Sequence, residues 1–594
     1  MMKKILSLLL TTTLLFCLIT FANAKGKSVT VNVDFSGQTH KISPYIYGIN
    51  DYAYFDDVTS VRQGGNRYSG YNWETNFSNA GNDWQHYSDT YLPSTIPNSY
   101  REKTACMPLW LSDIAKRKYK VTTLQMAGYV SKDSLGAVNE SETAPSARFA
   151  EVKAKKNSAF SLSPDTNDNY VYMDEYVNYL VNTLGDSQSE NGINGYLLDN
   201  EPALWSSTHP RIHPNKTTYN ELIEKSAELS LAVKAVDKNA EIFGPALYGV
   251  GAYADLGEAP DKDESYDSFI SYYLDKMKQK SSQYGTRLLD VLDIHYYSEA
   301  RGMCRVTECN DTNHTDCIKA RLQAVRSLKE EGYYENSWIG QWKNDSLPIL
   351  TKVKASIDKY YPDTKLSLTE YSFGGGTQIS GAIAEADALG TFGEMGVYLA
   401  TLWDSGEYQK SAISLYTNYD KNGSSFGDTF IPSTVSDIEN CSSYASIHSD
   451  TNNANLVLMN KSLTDSQNYG VTLSSAKQNY KTATIWGITN GSPEIQCLGV
   501  VDITDNKFTV SLPALSVVNI ELKTSNEQVK EDIKGDVNKD GNVDVIDVVL
   551  IRSHIVGTRL LDAIDNKAIQ RADMNEDKSV DIIDVVMLRK QIVK

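Results

Sequence analysis

Eight short apolar runs between residues 46 and 430 place the strongest constraint on how this chain can fold. Longer stretches with a helical pattern, such as YNELIEKSAELSLAVKAV (219–236), separate several of these runs. Strand-like and helix-like segments that alternate in this way are typical of parallel strands covered by helices. Eight such units predict an α/β fold built on a TIM-like (β/α)8 barrel with insertions. The runs are IYGIN (46–50), SVRQGGN (60–66), VTTLQMA (121–127), GYLLDNE (195–201), EIFGPA (241–246), VLDIHYY (291–297), KLSLTEY (365–371) and GVYLATLW (396–403).

The segments on either side of the barrel have a different, β-rich pattern. Residues 431–523 contain short alternating runs such as KTATIWGITN, broken by Asn, Gly and Ser. This pattern predicts a β-sandwich of about seven strands. The run SVTVNVDF (28–35) has the same character, so we expect residues 25–45 to belong to the same, discontinuous sandwich.

The first 24 residues have the pattern of a targeting segment. Lys3 and Lys4 precede an apolar run (5–21) that is followed by Ala-Asn-Ala. We interpret residues 1–24 as a secretory signal peptide, with a retained membrane anchor as the alternative. No later run approaches the roughly 18 apolar residues of a membrane span. The net charge of −18 argues against nucleic-acid binding, because phosphate contacts need clustered Lys and Arg. We therefore expect neither nucleic acid nor membrane as a partner.

Cysteines are too sparse for a disulfide scaffold, but three of them crowd together near His314. Their spacing matches no standard zinc pattern. We therefore favour a local disulfide in an inserted loop over a metal site. Beyond the signal segment the cysteines are Cys106, Cys304, Cys309, Cys317, Cys441 and Cys497.

Two glutamates stand at the ends of predicted barrel strands. Glu201 follows the run LLDN, and Glu370 follows LSLT. Catalytic groups of this barrel lie at the carboxyl ends of its strands. Two carboxylates at roughly 5–5.5 Å hydrolyse a glycosidic bond when one is the nucleophile and the other, with a raised pKa, the acid/base. The alternative is that each glutamate is a solvated loop residue.

The segment RQGGNRYSGYNWE supplies the next candidate residues. Arg62 is expected to keep the nucleophile ionised through a charge-assisted hydrogen bond. Asn66, Tyr71 and Trp73 are expected to line sugar subsites. The alternative is a turn with structural aromatic residues.

Four further strand-end residues are candidates for substrate binding. They are Asn200, His295, Tyr297 and Trp403. An aromatic floor beneath a sugar buries the C–H faces of the ring, and ordinary core packing is the alternative.

The last sixty residues contain an internal repeat after a polar linker (524–534). Residues 536–547 recur as 573–584, and each copy runs into an apolar, helix-like segment. Oxygen ligands at loop positions 1, 3, 5, 7, 9 and 12 predict two calcium loops, with a solvated acidic tail as the alternative. Position 6 is Gly541 in the first copy and Lys578 in the second, which favours weaker binding by the second loop. The expected ligands are Asp536, Asn538, Asp540, Asn542, Asp544 and Asp547, and then Asp573, Asn575, Asp577, Ser579, Asp581 and Asp584.

Residues 25–523 resemble glycoside hydrolase family 44, a family of retaining endo-β-1,4-glucanases and xyloglucanases. The resemblance is carried by RQGGNRYSGYNWETNFSNAGNDW (62–84), LLDNEPALW (197–205), DIHYY (293–297) and LTEYSFGGG (368–376). It implies a barrel packed against a β-sandwich built from both ends of the catalytic region. It also implies Glu201 as acid/base, Glu370 as nucleophile, and a further calcium in the catalytic region for which no ligands are assigned. Gln63 departs from the pattern, since an aromatic residue is expected there.

The duplicated loops (535–594) resemble a dockerin, a small all-α module that folds on calcium and binds a cohesin on a scaffoldin. Val545-Ile546 and Ile582-Ile583 resemble the positions that contact the partner. They are unusually apolar, so the class of cohesin stays open.

These features together predict a secreted, cellulosomal endo-β-1,4-glucanase that acts on cellulose, β-glucan or xyloglucan with retention of configuration. The chemistry itself is expected to need no cofactor, and calcium is expected only as a structural ion. One alternative keeps the fold and mechanism but assigns xylan or mannan as substrate. The other is a non-catalytic, carbohydrate-binding scaffold component.

Overall fold

A computed structural model describes residues 27–309, 314–403, 405–524, 533–537, 543–556, 561 and 568–592 of the chain. The predicted signal peptide (1–24) and most of the predicted linker lie outside the described residues. So do three of the expected calcium ligands, Asn538, Asp540 and Asn542.

Eight parallel strands form a closed barrel in chain order. Each run that the sequence predicted as a barrel strand supplies one of them, so the predicted fold class is confirmed. All eight pairings are parallel, as the β/α alternation requires. The strands are β1 (Tyr45–Asn50), β2 (Ser60–Gln63), β3 (Tyr119–Leu124), β4 (Gly195–Leu198), β5 (Glu241–Leu247), β6 (Val291–Tyr297), β7 (Lys365–Ser372) and β8 (Leu399–Leu402).

Helices of very different length follow the strands and cover the barrel. The longest begins after Thr218, whose side chain caps it by accepting a hydrogen bond from the N–H of Glu221 (3.0 Å). None of the helices in the described part of the chain combines the length and apolar character that crossing a membrane requires. The helices are Tyr91–Ser94, Asn98–Arg101, Cys106–Ile114, Met173–Leu184, Trp205–Thr208, Tyr219–Val236, Val250–Asp255, Phe269–Tyr284, Thr315–Ala324, Trp338–Trp342, Ile349–Tyr360, Ile379–Met395 and Glu407–Thr417.

Two sheets form the sandwich, one of four strands and one of seven. The first strand of the described chain pairs in parallel with Gln467–Ser474 over eight residues, so segments that precede and follow the barrel in sequence share a sheet. There are more strands than the sequence predicted, because short edge strands carry little alternating pattern. In spatial order the sheets are Ser433–Val435, Lys27–Asp34, Gln467–Ser474 and Lys507–Leu512, and then His40–Lys41, Thr429–Ile431, Cys441–Ile447, Ala454–Asn460, Ser516–Thr524, Tyr480–Thr489 and Ser492–Asp502.

The connections that follow β2 and β3 contain the strands of two small three-stranded sheets. Their strands are Ser78–Asn79, Tyr87–Asp89 and Gly136–Ala137 in one sheet, and Tyr129–Ser131, Phe149–Lys153 and Tyr170–Tyr172 in the other.

The helix Ile379–Met395 joins the sandwich to the barrel. Residues from both domains form one apolar core around it. On its sandwich side, Asp387 forms a buried ion pair with Lys461 (2.6 Å). On its barrel side, Glu385 accepts a hydrogen bond from the hydroxyl of Tyr371 in β7 (2.6 Å). The sandwich therefore braces the strand that carries Glu370.

Three helices make up the described part of the C-terminal module: Val545–Ile555, Ala568–Ala572 and Ile582–Ile592. The short middle helix is a feature that the repeat pattern did not predict. A small core that includes Val537, Ile551 and Leu588 holds the helices together.

Candidate active site

The backbone just beyond β4 adopts a strained conformation at Glu201. This conformation directs the side chain of Glu201 into the barrel mouth. Glu201 has a φ of +45°, a left-handed conformation that costs a residue with a side chain about 1–3 kcal/mol. Its N–H donates to the carbonyl of Ala246 in the adjacent strand β5 (3.1 Å). The buried carboxylate of Asp199 accepts the N–H groups of Asn200 (2.7 Å) and Ala127 (2.8 Å). These hydrogen bonds hold the turn.

Glu201 and Glu370 meet in this mouth, although they lie on different strands. A carboxylate oxygen of each, together with a ring nitrogen of His295, falls within a set of atoms that are all within 4.8 Å of one another. The predicted pair is therefore one cluster, whereas two solvated loop residues would have no reason to converge.

Glu370 lies in β7, where cationic and hydroxyl groups surround its carboxylate. Arg62 donates to one oxygen (2.6 Å) and the hydroxyl of Tyr297 to the other (2.6 Å). Burial by itself raises the pKa of Glu370, but the charges of His295 and Arg62 and the hydrogen bond from Tyr297 outweigh it. The net effect lowers the pKa of Glu370, so this carboxyl group is ionised at neutral pH.

Glu201 is in the opposite electrostatic state. Burial raises the pKa of its carboxyl group, and the nearby negative charge of Glu370 raises it further. The hydrogen bond from His295 (2.9 Å) opposes this effect without cancelling it. Two glutamates in one cluster thus have pKa values displaced in opposite directions, as an acid and a nucleophile require.

The imidazole of His295 connects the two glutamates and is fully buried. Its Nε2 lies 3.2 Å from the hydroxyl of Thr369, which donates to Asp293 (2.6 Å). The hydroxyl oxygen therefore accepts from Nε2–H, and Nδ1 faces Glu201. Burial lowers the pKa of His295, but the charges of Glu370 and Glu201 raise it above its ordinary value.

Arg62 is held by two asparagines, one at the end of β1 and one just beyond β4. It donates to the side-chain oxygens of Asn200 (2.7 Å) and Asn50 (3.1 Å). Asn200 was predicted to bind substrate, and this side-chain oxygen instead fixes the guanidinium that pairs with Glu370. Asn50 was not predicted, although it is the last residue of β1.

A cavity of about 940 Å³ opens beside the cluster, above the ends of β1, β2 and β8. Asn66 and Trp403, both predicted to bind substrate, line it together with Tyr52, Trp84 and Trp110. Asn66 also donates to Asp83 in the cavity wall (2.7 Å). The sequence analysis missed Tyr52, although its position two residues beyond β1 is a usable signal.

A second cavity, of about 240 Å³, lies across the mouth near the ends of β4, β5 and β6. Glu201 and Tyr297 line it, together with Tyr248, Arg305 and Trp338. Open space therefore lies on both sides of the carboxylate pair, as a chain-like substrate needs.

The structure contradicts the predicted role of two aromatic residues. Tyr71 and Trp73 are fully buried, so neither can contact a sugar. Trp73 stacks on Tyr176 at 5.1 Å between ring centroids, and Tyr71 donates to Asn76 (2.7 Å). These aromatics are core residues, the alternative that the sequence left open. Gln63 is likewise inside the barrel, where it donates to Asp51 (3.0 Å), and it occupies no stacking position.

In the second C-terminal repeat a tight loop folds around the buried carboxylate of Asp573. Asp573 accepts hydrogen bonds from the N–H groups of Asp577 (3.2 Å) and Lys578 (2.8 Å). Lys578 has a φ of +70°, a left-handed conformation that glycine adopts without steric cost. The turn is therefore formed in the second loop even though the sequence has lysine there.

The last acidic residue of each loop is held in the same way in both repeats. Asp547 accepts from the N–H groups of Val537 and Asp544, both at 2.8 Å. Asp584 accepts the two equivalent bonds at 2.7 and 2.8 Å. Both side chains are buried, and their oxygen donors are of the type that calcium prefers. The residues present thus fit the predicted ion.

Comparisons with known proteins agree with both parts of the chain. A family profile described as Glycoside hydrolase family 44 matches residues 77–300, and one described as Dockerin type I domain matches residues 534–593. Endoglucanase A of Paenibacillus lautus is 47% identical over 525 residues, which are 86% of this chain and 75% of that protein. The chain belongs to glycoside hydrolase family 44. The family resemblance found in the sequence is confirmed.

Solved structures of family 44 enzymes superpose on this one. Cel44A, an endoglucanase from Clostridium thermocellum, has a TM-score of 0.82 and 50% identity, covering 84% of this chain and all of that chain. A Paenibacillus polymyxa xyloglucanase, solved with xyloglucan, has a TM-score of 0.81 and 47% identity over the same shares. This family 44 chain is thus a glycoside hydrolase of the endoglucanase type, and its dockerin indicates an extracellular, cellulosome-associated enzyme.

Proposed function

We propose that this enzyme hydrolyses β-1,4-linked glucans, including cellulose and xyloglucan, with retention of anomeric configuration. The observation that carries the proposal is the carboxylate pair, whose oxygens lie within 4.8 Å and whose pKa values are displaced in opposite directions. Retaining enzymes place their carboxyl groups about 5–5.5 Å apart, whereas inverting enzymes leave about 6.5–9.5 Å for a water.

In the first step Glu201 donates its proton to the leaving glycosidic oxygen while Glu370 attacks the anomeric carbon. Burial raises the pKa of Glu201 and so favours its protonated form, while Arg62 favours the ionised form of Glu370. The bond between the anomeric carbon and the leaving oxygen breaks, and a glycosyl ester forms on Glu370.

In the second step Glu201, now a carboxylate, takes a proton from water, and that water attacks the anomeric carbon. The ester on Glu370 is cleaved and its carboxylate returns to Arg62. Once the ester has neutralised Glu370, the negative charge that raised the pKa of Glu201 is gone. The pKa of Glu201 therefore falls, and its ionised carboxylate is available as the base for this step.

The aromatic cavity supports a β-glucan as the substrate. Tyr52 and Trp84 are both more than half exposed, and Tyr52 meets Trp403 edge-on at 5.2 Å between centroids. Such rings bury the apolar C–H faces of glucose units that run along the cleft. The similarity to a xyloglucanase solved with xyloglucan supports branched glucans as well.

Azide rescue of two variants tests the assignment of roles. With an aryl β-cellotrioside that carries a good leaving group, Glu201→Ala plus azide is expected to give the β-glycosyl azide. Glu370→Gly plus azide is expected to give the α-glycosyl azide, because azide then takes the place of the missing nucleophile. The opposite pair of configurations would reverse the two roles and overturn the proposal.

Glu385→Gln provides a matched control for these variants. Burial raises the pKa of Glu385 to about 8, so its carboxyl group is protonated at neutral pH and glutamine replaces it with little change in charge. It lies behind β7 and faces Tyr371 rather than the mouth, so near wild-type turnover is expected.

We further propose that both dockerin loops bind calcium, that the module docks on a cohesin, and that residues 1–24 direct secretion. The matching N–H contacts at Asp547 and Asp584 support two equivalent loops. Exposed apolar side chains at Val545, Ile582 and Ile583 support a protein partner on that face.

A further inference from the structure

Three cysteine side chains converge in the loop region that follows β6. Cys304 and Cys309 lie in the loop, and Cys317 lies in the first turn of the helix Thr315–Ala324. Their sulfur atoms are all within 4.8 Å of one another, and the Sγ atoms of Cys304 and Cys317 are 3.5 Å apart. Cys309 and Cys317 are buried.

This triangle has the dimensions of three corners of a metal-centred tetrahedron. Zinc–sulfur bonds of about 2.3 Å place neighbouring sulfurs roughly 3.8 Å apart. A disulfide, which the sequence analysis favoured, joins two sulfurs and leaves the third without a covalent role. The convergence of all three sulfurs within 4.8 Å favours a single ion between them.

Two features place positive charge beside the triangle. The N–H of Cys304 points at the sulfur of Cys317 (3.5 Å), and the N-terminal end of the helix adds its positive dipole. The buried guanidinium of Arg321 donates to the carbonyls of Cys309 and Val306 beside the sulfurs. Positive charge in this position offsets the negative charge of three thiolates.

We propose that Cys304, Cys309 and Cys317 bind one zinc ion, with a ligand from outside the three at its fourth position. Thiolates select zinc over the calcium and magnesium that carboxylate sites prefer. The site is structural and separate from the chemistry of Glu201 and Glu370.

The position of the three cysteines indicates a structural role for the ion, which is to connect two loops at the barrel mouth. Arg305, next to Cys304, donates to the carbonyls of Tyr297 (3.1 Å) and Ser298 (3.0 Å) and lines the cavity beside Glu201. Arg321 donates to the carbonyl of Phe373, in the loop after β7 (3.1 Å). An ion at the triangle thus fastens the loops that follow two catalytic strands to each other.

Metal analysis of the full chain, purified anaerobically with zinc and calcium in the medium, tests the proposal. We expect about one zinc per chain, and loss of that zinc in Cys309→Ser. Cys497→Ser is the matched control, because this cysteine is exposed on a sandwich strand and should not affect zinc content. Zinc that survives in Cys309→Ser would overturn the proposal.

A measurement on the wild-type chain guards against misfolding of the variant. A mercurial thiol reagent added to the native protein with a zinc-sensitive dye is expected to release the zinc as the thiols react. Replacement of zinc by cobalt is expected to give thiolate-to-metal charge-transfer bands and the visible bands of a tetrahedral ion. Absence of zinc together with a disulfide-linked Cys304–Cys317 peptide in mass spectrometry would refute the site.

Discussion

Two groups of carboxylates, one in the barrel and one in the dockerin, are held by opposite means. In the barrel, the negative charge of Glu370 is met by the guanidinium of Arg62, by the hydroxyl of Tyr297 and by His295. In the dockerin, Asp547 and Asp584 accept hydrogen bonds from backbone N–H groups. A backbone dipole orients a carboxylate but carries no net charge.

The difference explains what each group can do. Where the protein supplies the positive charge, it sets the pKa of each acid, and a proton can be moved at a chosen step. In the dockerin, the oriented carboxylate oxygens are of the type that a calcium ion from solution prefers. This difference supports the proposed proton transfer in the barrel and the proposed calcium binding in the dockerin.

The largest effect is expected from removing the proposed nucleophile, which should impair the barrel site and leave the dockerin unaffected. Glu370→Ala is expected to lower turnover on a soluble β-glucan by about 10³–10⁵-fold, because losing a nucleophile costs several kcal/mol of transition-state stabilisation. Cohesin binding by the same variant should equal that of the wild type. A variant that keeps more than about a tenth of wild-type turnover would rule out Glu370 as nucleophile.

Chelation of calcium is the opposite experiment, because it should disrupt the dockerin carboxylates and not the barrel pair. Removing calcium is expected to unfold residues 535–594 and to weaken cohesin binding by more than about 100-fold, since the folding of small metal-binding modules depends on the ion. Asp584→Asn should act in the same direction, while Glu576→Gln in the same loop is a control, because Glu576 is not among the expected ligands. Calorimetric titration on a cohesin measures each effect, and tight binding in excess chelator would break the comparison.

The sequence was sufficient to predict the barrel strands and the approach of Glu201 to Glu370, and the reason is visible at Glu370. A buried parallel strand is a continuous apolar run, and a lone carboxylate at its end is conspicuous. The family motifs and the calcium spacing are equally local signals, because the residues that matter lie close together in sequence.

Contacts between distant residues could not be predicted in this way. Tyr71 and Trp73 belong to the same sequence motif as Asn66. Only their packing, such as that of Trp73 against Tyr176, shows that they are core residues. Trp110 lies on a helix whose pattern gives no hint of a cleft. The three-way approach of Cys304, Cys309 and Cys317 depends on a loop path that spacing does not encode.

A smaller effect is expected from Tyr297→Phe, which removes one hydrogen bond from the ionised form of Glu370. The pKa of Glu370 should then rise, because its charged form loses stabilisation. The acid limb of the profile of kcat/KM against pH should move to higher pH by about one unit, the equivalent of roughly 1.4 kcal/mol. The alkaline limb, which reports Glu201, serves as the internal control, and an acid limb that does not move would remove Tyr297 from this role.

The smallest effect is expected from Thr369→Val. This variant tests whether Thr369, acting through His295, also affects the pKa of Glu201. The hydroxyl of Thr369 accepts from Nε2–H of His295, and its loss lowers the pKa of His295 because the cationic imidazole loses a partner. Less positive charge beside Glu201 then raises the pKa of Glu201 further. The alkaline limb of the profile of kcat/KM against pH should therefore move to higher pH, with a fall in turnover of only a few-fold, about 1 kcal/mol.

Thr401→Val is the matched control, because it removes another buried barrel hydroxyl, one that donates to the carbonyl of Thr369 (2.6 Å). This variant should leave the alkaline limb at the wild-type pH. Equal shifts in both variants would mean that loosened packing, rather than the proton on His295, controls the acid.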